Sequence, residues 1–310
     1  MLSGKSLRSR FAGCLLGLAL GDSLGAPFEG MPGGEYSYSC ENPLIYTDDT
    51  EMMINLTESI LSSRAVDPED IAQAFVKGYT KGRGYGRGTV RALSLIKEGM
   101  SINEAARSIF PDGSCGNGAA MRVAPIGLLY WWNSGFILDA AEKSSIPTHI
   151  HPLGIEGAKI MALAVGFTIK GITREALPGS LIDNVNEELY RKKLSVIRDL
   201  LREDANAGEV AHRLGNGVFA HESVPAALYA FIRFGNDYKK TIEFCFSLGG
   251  DIDTIAAMAG ALSGAYVSED CLPGECIQKL EDADRIKYLS FQLFEFSNAL
   301  KTKHIEAKAI

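Results

Sequence analysis

Apolar residues recur along this chain with the spacing of helix faces and not with the alternation of strands. In DPEDIAQAFVKGYTKG, Ile71, Ala74, Phe75 and Gly78 share one face at a period of about 3.6 residues. Asp67 followed by Pro68 marks the start of that helix, because the carboxylate can accept from free first-turn amides and the proline ring presets the backbone. Comparable patterns predict helices over about 6–25, 49–63, 88–110, 119–133, 136–145, 152–170, 187–204, 207–215, 221–236, 238–247, 252–267 and 284–300. No alternating run long enough for paired strands interrupts them, so the predicted fold class is all-α.

Two stretches stand apart from this pattern. In 13–25 and 252–267, Gly and Ala take the place of larger residues. A glycine inside a helix costs about 1 kcal/mol relative to alanine, so its repetition predicts two central helices whose backbones approach closely. The segment 174–209 is the most charged and least patterned, yet it holds no Pro-, Gly- or Ser-rich linker, and a single domain over 1–310 is expected.

Composition narrows the function classes. With 310 residues, 46% hydrophobic and 22% charged, the chain is an ordinary folded protein. A formal charge of −7 argues against broad nucleic-acid binding, which needs a basic face to displace phosphate counterions. The six cysteines show no CxxC pair and no zinc-like spacing, and are expected to be reduced thiols in a cytoplasmic protein. The start, MLSGKSLRSRFAGCLLGLALGDSLGA, has the basic-then-apolar order of a signal sequence, but Gly13, Gly17 and Gly21 thin its apolar run, and neither it nor any later segment is expected to span a membrane. Trp131 and Trp132 are expected in the core of a monomer.

Acidic residues gather at two helix starts. In YTDDTEMM, Thr47 or Asp48 can cap a helix whose apolar face runs through Met53, Leu56 and Ile60, and Asp48 with Glu51 resembles a capping box. Capping leaves Asp49 unexplained, and Asp251, Asp253 and Thr254 repeat the arrangement in SLGGDIDTIAAMAGALSGAY. Carboxylates brought together must take up protons or be neutralised by a cation. Oxygen ligands suit Mg²⁺, with Mn²⁺ as the alternative, and two such clusters meeting would suit a two-metal site. The pair His149 and His151 lacks the further ligands that a zinc site needs.

Glycine marks GRGYGRG at 82–88, GSCGNGAAMRV at 113–123 and LGNGVFAHESVP at 214–225, where the backbone can approach a ligand closely. No Rossmann or P-loop spacing is present. These blocks, in order with GCLLGLALGDSLGAPFEG, YTDDTEMM, THIHPLGIEGA and SLGGDIDTIAAMAGALSGAY, resemble the ADP-ribosylglycohydrolase family from about residue 10 to 270. The resemblance implies a compact orthogonal helical bundle with a binuclear Mg²⁺ or Mn²⁺ centre. It places Thr47, Asp48 and Asp49 opposite Asp251, Asp253 and Thr254 as metal ligands, with Glu29, Asp48 and Asp253 as the catalytic set. Gly84, Tyr85 and Gly86, with Ser114, Cys115, Gly116 and Asn117, would hold the diphosphate and riboses, and His149 would lie beside the adenine.

The blocks at 113–123 and 215–225 are most similar to the subgroup that releases ADP-ribose from serine and also cleaves poly(ADP-ribose) and O-acetyl-ADP-ribose. ADP-ribose and ADP-ribosylated proteins are then the expected partners. An ADP-ribosyl-arginine hydrolase is the enzymatic alternative, along with a metal hydrolase of phosphate esters. A non-catalytic ADP-ribose-binding protein is the third, though it would have no need of Glu29 and both aspartate clusters. Cys115 stands where that subgroup has a bulkier residue, and Ile252 where a polar one is common.

Overall fold

Residues 6–308 are described by a computed structural model. They form α1 (Leu7–Gly25), α2 (Asp48–Ser63), α3 (Pro68–Gly78), α4 (Arg87–Lys97), α5 (Ile102–Ala106), α6 (Gly118–Met121), α7 (Ala124–Leu129), α8 (Ser134–Ser145), α9 (Pro152–Lys170), α10 (Leu177–Ile182), α11 (Glu188–Arg202), α12 (Ala207–Leu214), α13 (Ala220–Phe234), α14 (Tyr238–Leu248), α15 (Ile252–Val267), α16 (Gly274–Ile277) and α17 (Ala283–Lys308). Among the described residues there is no β-strand, only isolated bridges joining Leu44 to Leu280 and Gly116 to Phe219. The fold is all-α. Local chemistry explains many helix starts: Asp67, Asn133 and Asp237 accept from first-turn amides of α3, α8 and α14, and Asn206 with Glu209 closes a capping box on α12.

α1 and α15 form the centre, with nearly every residue of both buried. Their small residues permit this. Gly13, Gly17 and Gly21 lie against Gly264, Gly260 and Ala256, so closely that a methyl group on Gly17 would overlap the carbonyl oxygen of Gly260. Numbers that rise along α1 as they fall along α15 make the pair antiparallel. The seam ends where a Cβ added to Gly25 would stand 2.6 Å from Asp253 Cα. α9, α13 and α14 pack on α15, and α17 packs on α1. Arg10 is buried among them and donates to the carbonyl oxygens of Ala265 and Ile169, both at 2.8 Å, and of Thr168. It thereby joins α1 to the C-terminal turns of α15 and α9, where carbonyls lack helical partners.

Departures from the sequence reading have local causes. The run 88–110 is two helices, because Gly99 (φ +94°) follows the end of α4 and Ser101 caps α5. Pro125, which cannot donate to a continuing helix, separates α6 from α7 within 119–133. α17 continues past residue 300 as a largely exposed extension with no apolar face to read. α10 falls inside the charged stretch 174–209, anchored by buried Leu177, Pro178 and Leu181. Trp131 and Trp132 are half-buried, not core; Lys301 lies 4.3 Å from the first ring and His304 5.0 Å from the second.

Two further expectations are corrected. Leu7–Phe28 and Pro152–Lys170 are long and apolar enough to cross a membrane, but 83% and 78% of their apolar windows are buried inside the protein, so helix packing accounts for their composition. Residues 1–5 of the signal-like start lie outside the described residues. The cysteines are not all thiols: Cys40, in the loop before α2, and Cys276, in α16, form a disulfide across 236 residues with Cα atoms 4.9 Å apart. Spacing in the sequence cannot reveal a pair that only the fold assembles.

Three outcomes follow. Gly17→Ala should lower the unfolding free energy by about 2 kcal/mol or more, read as a lower urea midpoint, because overpacking against backbone outweighs the gain in helix propensity. Gly179→Ala, at an exposed helical position where a Cβ meets nothing within 4 Å, should instead stabilise by up to about 1 kcal/mol. Titration of denatured, unreduced protein should find four thiols, Cys14, Cys115, Cys245 and Cys271, and reduction should raise the count to the six in the sequence.

Candidate active site

The start of α2 is organised by a residue that sequence reasoning missed. Asp22, fully buried near the end of α1, accepts from the Thr47 amide at 3.0 Å and hydroxyl at 2.8 Å, and from the Thr50 amide at 3.1 Å and hydroxyl at 2.5 Å. The available signal was a lone aspartate in the apolar run LALGDSLG, a charge that burial forbids without partners. Thr47 is the cap of α2, accepting from the Asp49 amide. The capping-box expectation fails. Glu51 accepts instead from the Thr80 amide at 2.8 Å and the Tyr85 hydroxyl at 2.7 Å, with the Arg83 guanidinium at 3.6 Å. Asp48 and Asp49 are thus free of capping duty.

The second acidic segment enters through a turn that only glycine adopts readily. Gly250, at φ +76°, accepts from the Gly30 amide at 2.8 Å and donates to the Met31 carbonyl at 3.0 Å. This double bond of backbone to backbone sets Glu29 beside Asp251. Asp251 occupies the cap position of α15, yet its side chain caps nothing. Its Oδ2 accepts from Asn117 Nδ2, which also donates to Ser223 Oγ at 3.0 Å. Thr254 Oγ1 donates to Asp49 Oδ2 at 3.3 Å, so the two segments meet. Carboxylate oxygens of Asp22, Asp49 and Asp253 lie within 4.8 Å of one another, as do those of Glu29, Asp251 and Asp253. Asp253 belongs to both sets; Asp48 borders the cavity outside them.

Burial raises the pKa of Asp48, Asp49 and Asp253 above the ordinary carboxylate range, and neighbouring negative charge adds to it: Asp22 acts on Asp48 and Asp49, and Asp251 on Asp253. Asp22 and Asp251 are raised by burial as well, opposed by the hydrogen bonds they accept. Asp49 Oδ1 is buried without a hydrogen-bond partner. An orphaned buried carboxylate oxygen among crowded carboxyls fits a divalent cation that prefers oxygen. Neither set includes histidine or cysteine, and His151 is occupied elsewhere, its Nδ1 accepting from the Leu153 amide at the start of α9.

A cavity of about 390 Å³ adjoins the acidic residues. One wall is the loop entering α4, held by Arg83: its carbonyl accepts from the Asp48 amide at 2.7 Å, and its guanidinium grips both carboxylate oxygens of Glu281 at 2.7 Å. The other wall is the segment 113–118, held by the Asn117 amide to Val218 and the Ala220 amide to Cys115, both at 3.0 Å. Gly84, Gly86, Ser114, Cys115, Gly116, Asn117 and His149 line the cavity as expected positions. Tyr85 does not: its hydroxyl serves Glu51, and its ring packs 4.8 Å from that of Tyr79. Thr47 likewise turns to Asp22. Arg87, Phe110 and Phe219 also line the cavity; Arg87 and Phe219 lie inside marked glycine blocks but were given no role there, and no sequence signal marked Phe110.

His149 is held in one protonation form. Buried Arg122 donates to Thr148 Oγ1 at 2.8 Å, and Thr148 Oγ1 is 2.7 Å from His149 Nδ1. With no other acceptor for the threonine hydroxyl among the described residues, its proton goes to Nδ1, which leaves Nε2 carrying hydrogen. Burial and the Arg122 charge push the His149 pKa down to about 3. The ring is a neutral donor against Gly116 and Gly118.

Comparison with known proteins decides the family. The ADP-ribosylglycohydrolase family profile matches residues 3–301. The chain belongs to the ADP-ribosylglycohydrolase family. It is 36% identical to the ADP-ribosylhydrolase ARH3 of Xenopus tropicalis, over 86% of this chain and 89% of that protein, and 35% identical to the ADP-ribosylhydrolase ARH3 of Homo sapiens, over 92% and 93%. The solved structure of an ADP-ribosylglycohydrolase-related protein complex superposes with a TM-score of 0.78 at 28% identity, covering 94% of this chain and 99% of the other. An ADP-ribosylglycohydrolase is a glycoside-cleaving, metal-dependent enzyme, and the acidic sets around Asp253 are its candidate cation ligands.

In this ADP-ribosylglycohydrolase the raised carboxyls make the folded chain hold protons that the unfolded chain releases. Their contribution is therefore favourable at low pH and is lost as pH rises above about 4 and through neutrality. Cation-free protein should lose melting temperature along that rise, and added divalent cation should restore most of it. Asp253→Asn, which removes the shared charge, should raise the cation-free melting temperature on the order of a few degrees and abolish the cation-induced shift. A full shift in the variant would separate this cluster from cation binding.

Proposed function

We propose that the protein is an ADP-ribosylhydrolase that cleaves the glycosidic bond between ADP-ribose and the serine oxygen of a modified protein, releasing ADP-ribose. The observation that carries this reading is the meeting of Thr47–Asp49 with Asp251–Thr254 through the Thr254 to Asp49 hydrogen bond, beside Glu29 and at the edge of the cavity. The similarity to ADP-ribosylhydrolase ARH3 proteins and the resemblance of blocks 113–123 and 215–225 support serine as acceptor, with poly(ADP-ribose) and O-acetyl-ADP-ribose as further substrates.

Two sets of carboxylates sharing Asp253 suit a pair of ions, and the oxygen-only donors suit Mg²⁺ first and Mn²⁺ second. Bound there, such ions supply neutralising charge and polarise ribose hydroxyls. The protein's own groups do the rest. Asp22 fixes Thr47 and the first turn of α2, while Asn117 fixes Asp251. Glu29, exposed on the cavity side of this cluster, takes a proton from the attacking water as the bond from the ribose carbon to the serine oxygen breaks, and returns that proton to the departing oxygen, so that a free serine hydroxyl is released. The glycine-rich walls let backbone approach the diphosphate, and His149 offers a hydrogen-bond donor to the ligand. One domain over the whole chain, acting as a monomer without nucleic-acid or membrane partners, completes the reading; the charge of −7 supports the absence of a phosphodiester partner.

Purified protein given serine-linked, arginine-linked and polymeric ADP-ribose should release ADP-ribose fastest from the serine-linked peptide. EDTA should stop the release and Mg²⁺ restore it. Asp48→Ala and Asp253→Ala should each reduce turnover by about 100-fold or more. Full turnover in both variants, or in EDTA, would overturn the proposal, and a preference for the arginine-linked substrate would overturn the choice of acceptor.

A further inference from the structure

We propose that Arg87 selects for the diphosphate of the substrate, its guanidinium supplying the cavity's cationic contact to the two phosphates. The proposal rests on the ADP-ribose reading above and adds to it a residue of the 82–88 block to which the sequence assigned no role. Its basis is a charge imbalance. Five carboxylates line the cavity, Glu29, Asp48, Asp49, Asp251 and Asp253, against one side chain with a fixed positive charge, that of Arg87. The basic residues nearby are committed elsewhere: Arg83 to Glu281, Glu51 and the Tyr46 carbonyl, and Arg122 to Thr148 and the carbonyls of Gly118 and Ser144. The Arg87 side chain forms no hydrogen bond or ion pair among the described residues, although it borders a cavity rich in carboxylates. It is an exposed guanidinium held available for an anion that the chain itself does not supply.

Position along the wall says which anion. A Cβ added at Gly84 would lie 3.3 Å from Asp48 Oδ1, and one at Gly88 would lie 3.0 Å from the Phe110 ring. The loop therefore runs from the acidic centre to an exposed aromatic ring, with Arg87 one residue short of the latter. A ligand with a reacting ribose at the carboxylates and a flat base near an aromatic surface carries its anionic segment between them. Tyr85, the other large side chain on that stretch, is turned inward to Glu51. The carboxylates are matched to cations of their own, and a planar five-donor cation on the wall matches the diphosphate and fixes the register of the phosphate oxygens. Arg87 thereby discriminates ADP-ribosyl ligands from uncharged ribosides.

The test is binding and kinetics of Arg87→Gln and Arg87→Lys in the full chain, with ADP-ribose and the phosphate-free probe adenosine as ligands. Arg87→Gln should weaken ADP-ribose binding about tenfold, make that binding less sensitive to salt, and raise KM for the ADP-ribosyl peptide by the same factor while kcat falls less than threefold. Adenosine binding should not change, and Arg87→Lys should recover part of the loss. Unaltered ADP-ribose affinity would overturn the proposal, as would an equal loss for adenosine. Wild-type protein that binds ADP-ribose but hydrolyses nothing would overturn the catalytic reading and leave the Arg87 comparison to be decided by binding; wild-type protein that does not bind ADP-ribose would overturn both.

Discussion

The approach of two helix backbones in the middle of the molecule governs the rest of the structure. α1 and α15 touch along Gly13, Gly17 and Gly21 on one side and Gly264, Gly260 and Ala256 on the other, with no room for a side chain between them. That closeness delivers chemistry as well as packing. At the end of the seam Gly25 abuts Asp253, and Asp22, one turn earlier, reaches the carboxylates of Asp49 and Asp253. A larger residue in the seam would separate the helices and pull the acidic centre apart with them. Glycine costs helix propensity at each of these positions, and the offset is dispersion contact along two fully buried elements.

Onto this rigid pair the fold hangs segments that are far apart in sequence, each by a small number of polar contacts. Asp22 holds the start of α2, Gly250 holds the strip containing Glu29, Asn117 holds Asp251, and Arg83 holds the glycine loop against Glu281. The Cys40–Cys276 disulfide pins the middle of the loop that joins Glu29 to Thr47. Together these contacts gather carboxylates that repel one another in a buried setting. Such a centre opposes the stability of the cation-free fold, so the surrounding hydrogen bonds and the apolar core must hold it in place. The arrangement is intelligible as a site for cations and a sugar, and not as a structural necessity.

Much of the fold was legible because helices write their own local rules into the chain. Apolar spacing, caps such as Asp67 with Pro68, and the Gly and Ala content of 13–25 and 252–267 gave helix positions and marked the central pair. Boundaries failed where a single residue broke an otherwise continuous pattern, as Gly99 and Pro125 do, and where α10 and the end of α17 carry too short or too exposed an apolar face. At the site, the clusters at 47–49 and 251–254 were visible as acid beyond what capping needs, and the glycine blocks as places of close approach.

What the sequence determined by itself is therefore the all-helical class, the small-residue pair and the inventory of oxygen ligands, since each depends on residues within a few positions of one another. The tertiary structure alone decided that Asp22 joins the acidic sets in place of Asp48, that Glu51 serves Tyr85 and Arg83 and not the helix cap, that Arg122 and Thr148 fix the proton of His149, and that Cys40 meets Cys276. Every one of those pairings except the one between Thr148 and its neighbour joins positions too far apart for the period of a helix to couple them. Side-chain direction and long-range proximity are set by how the helices pack, and packing is a property of the whole chain.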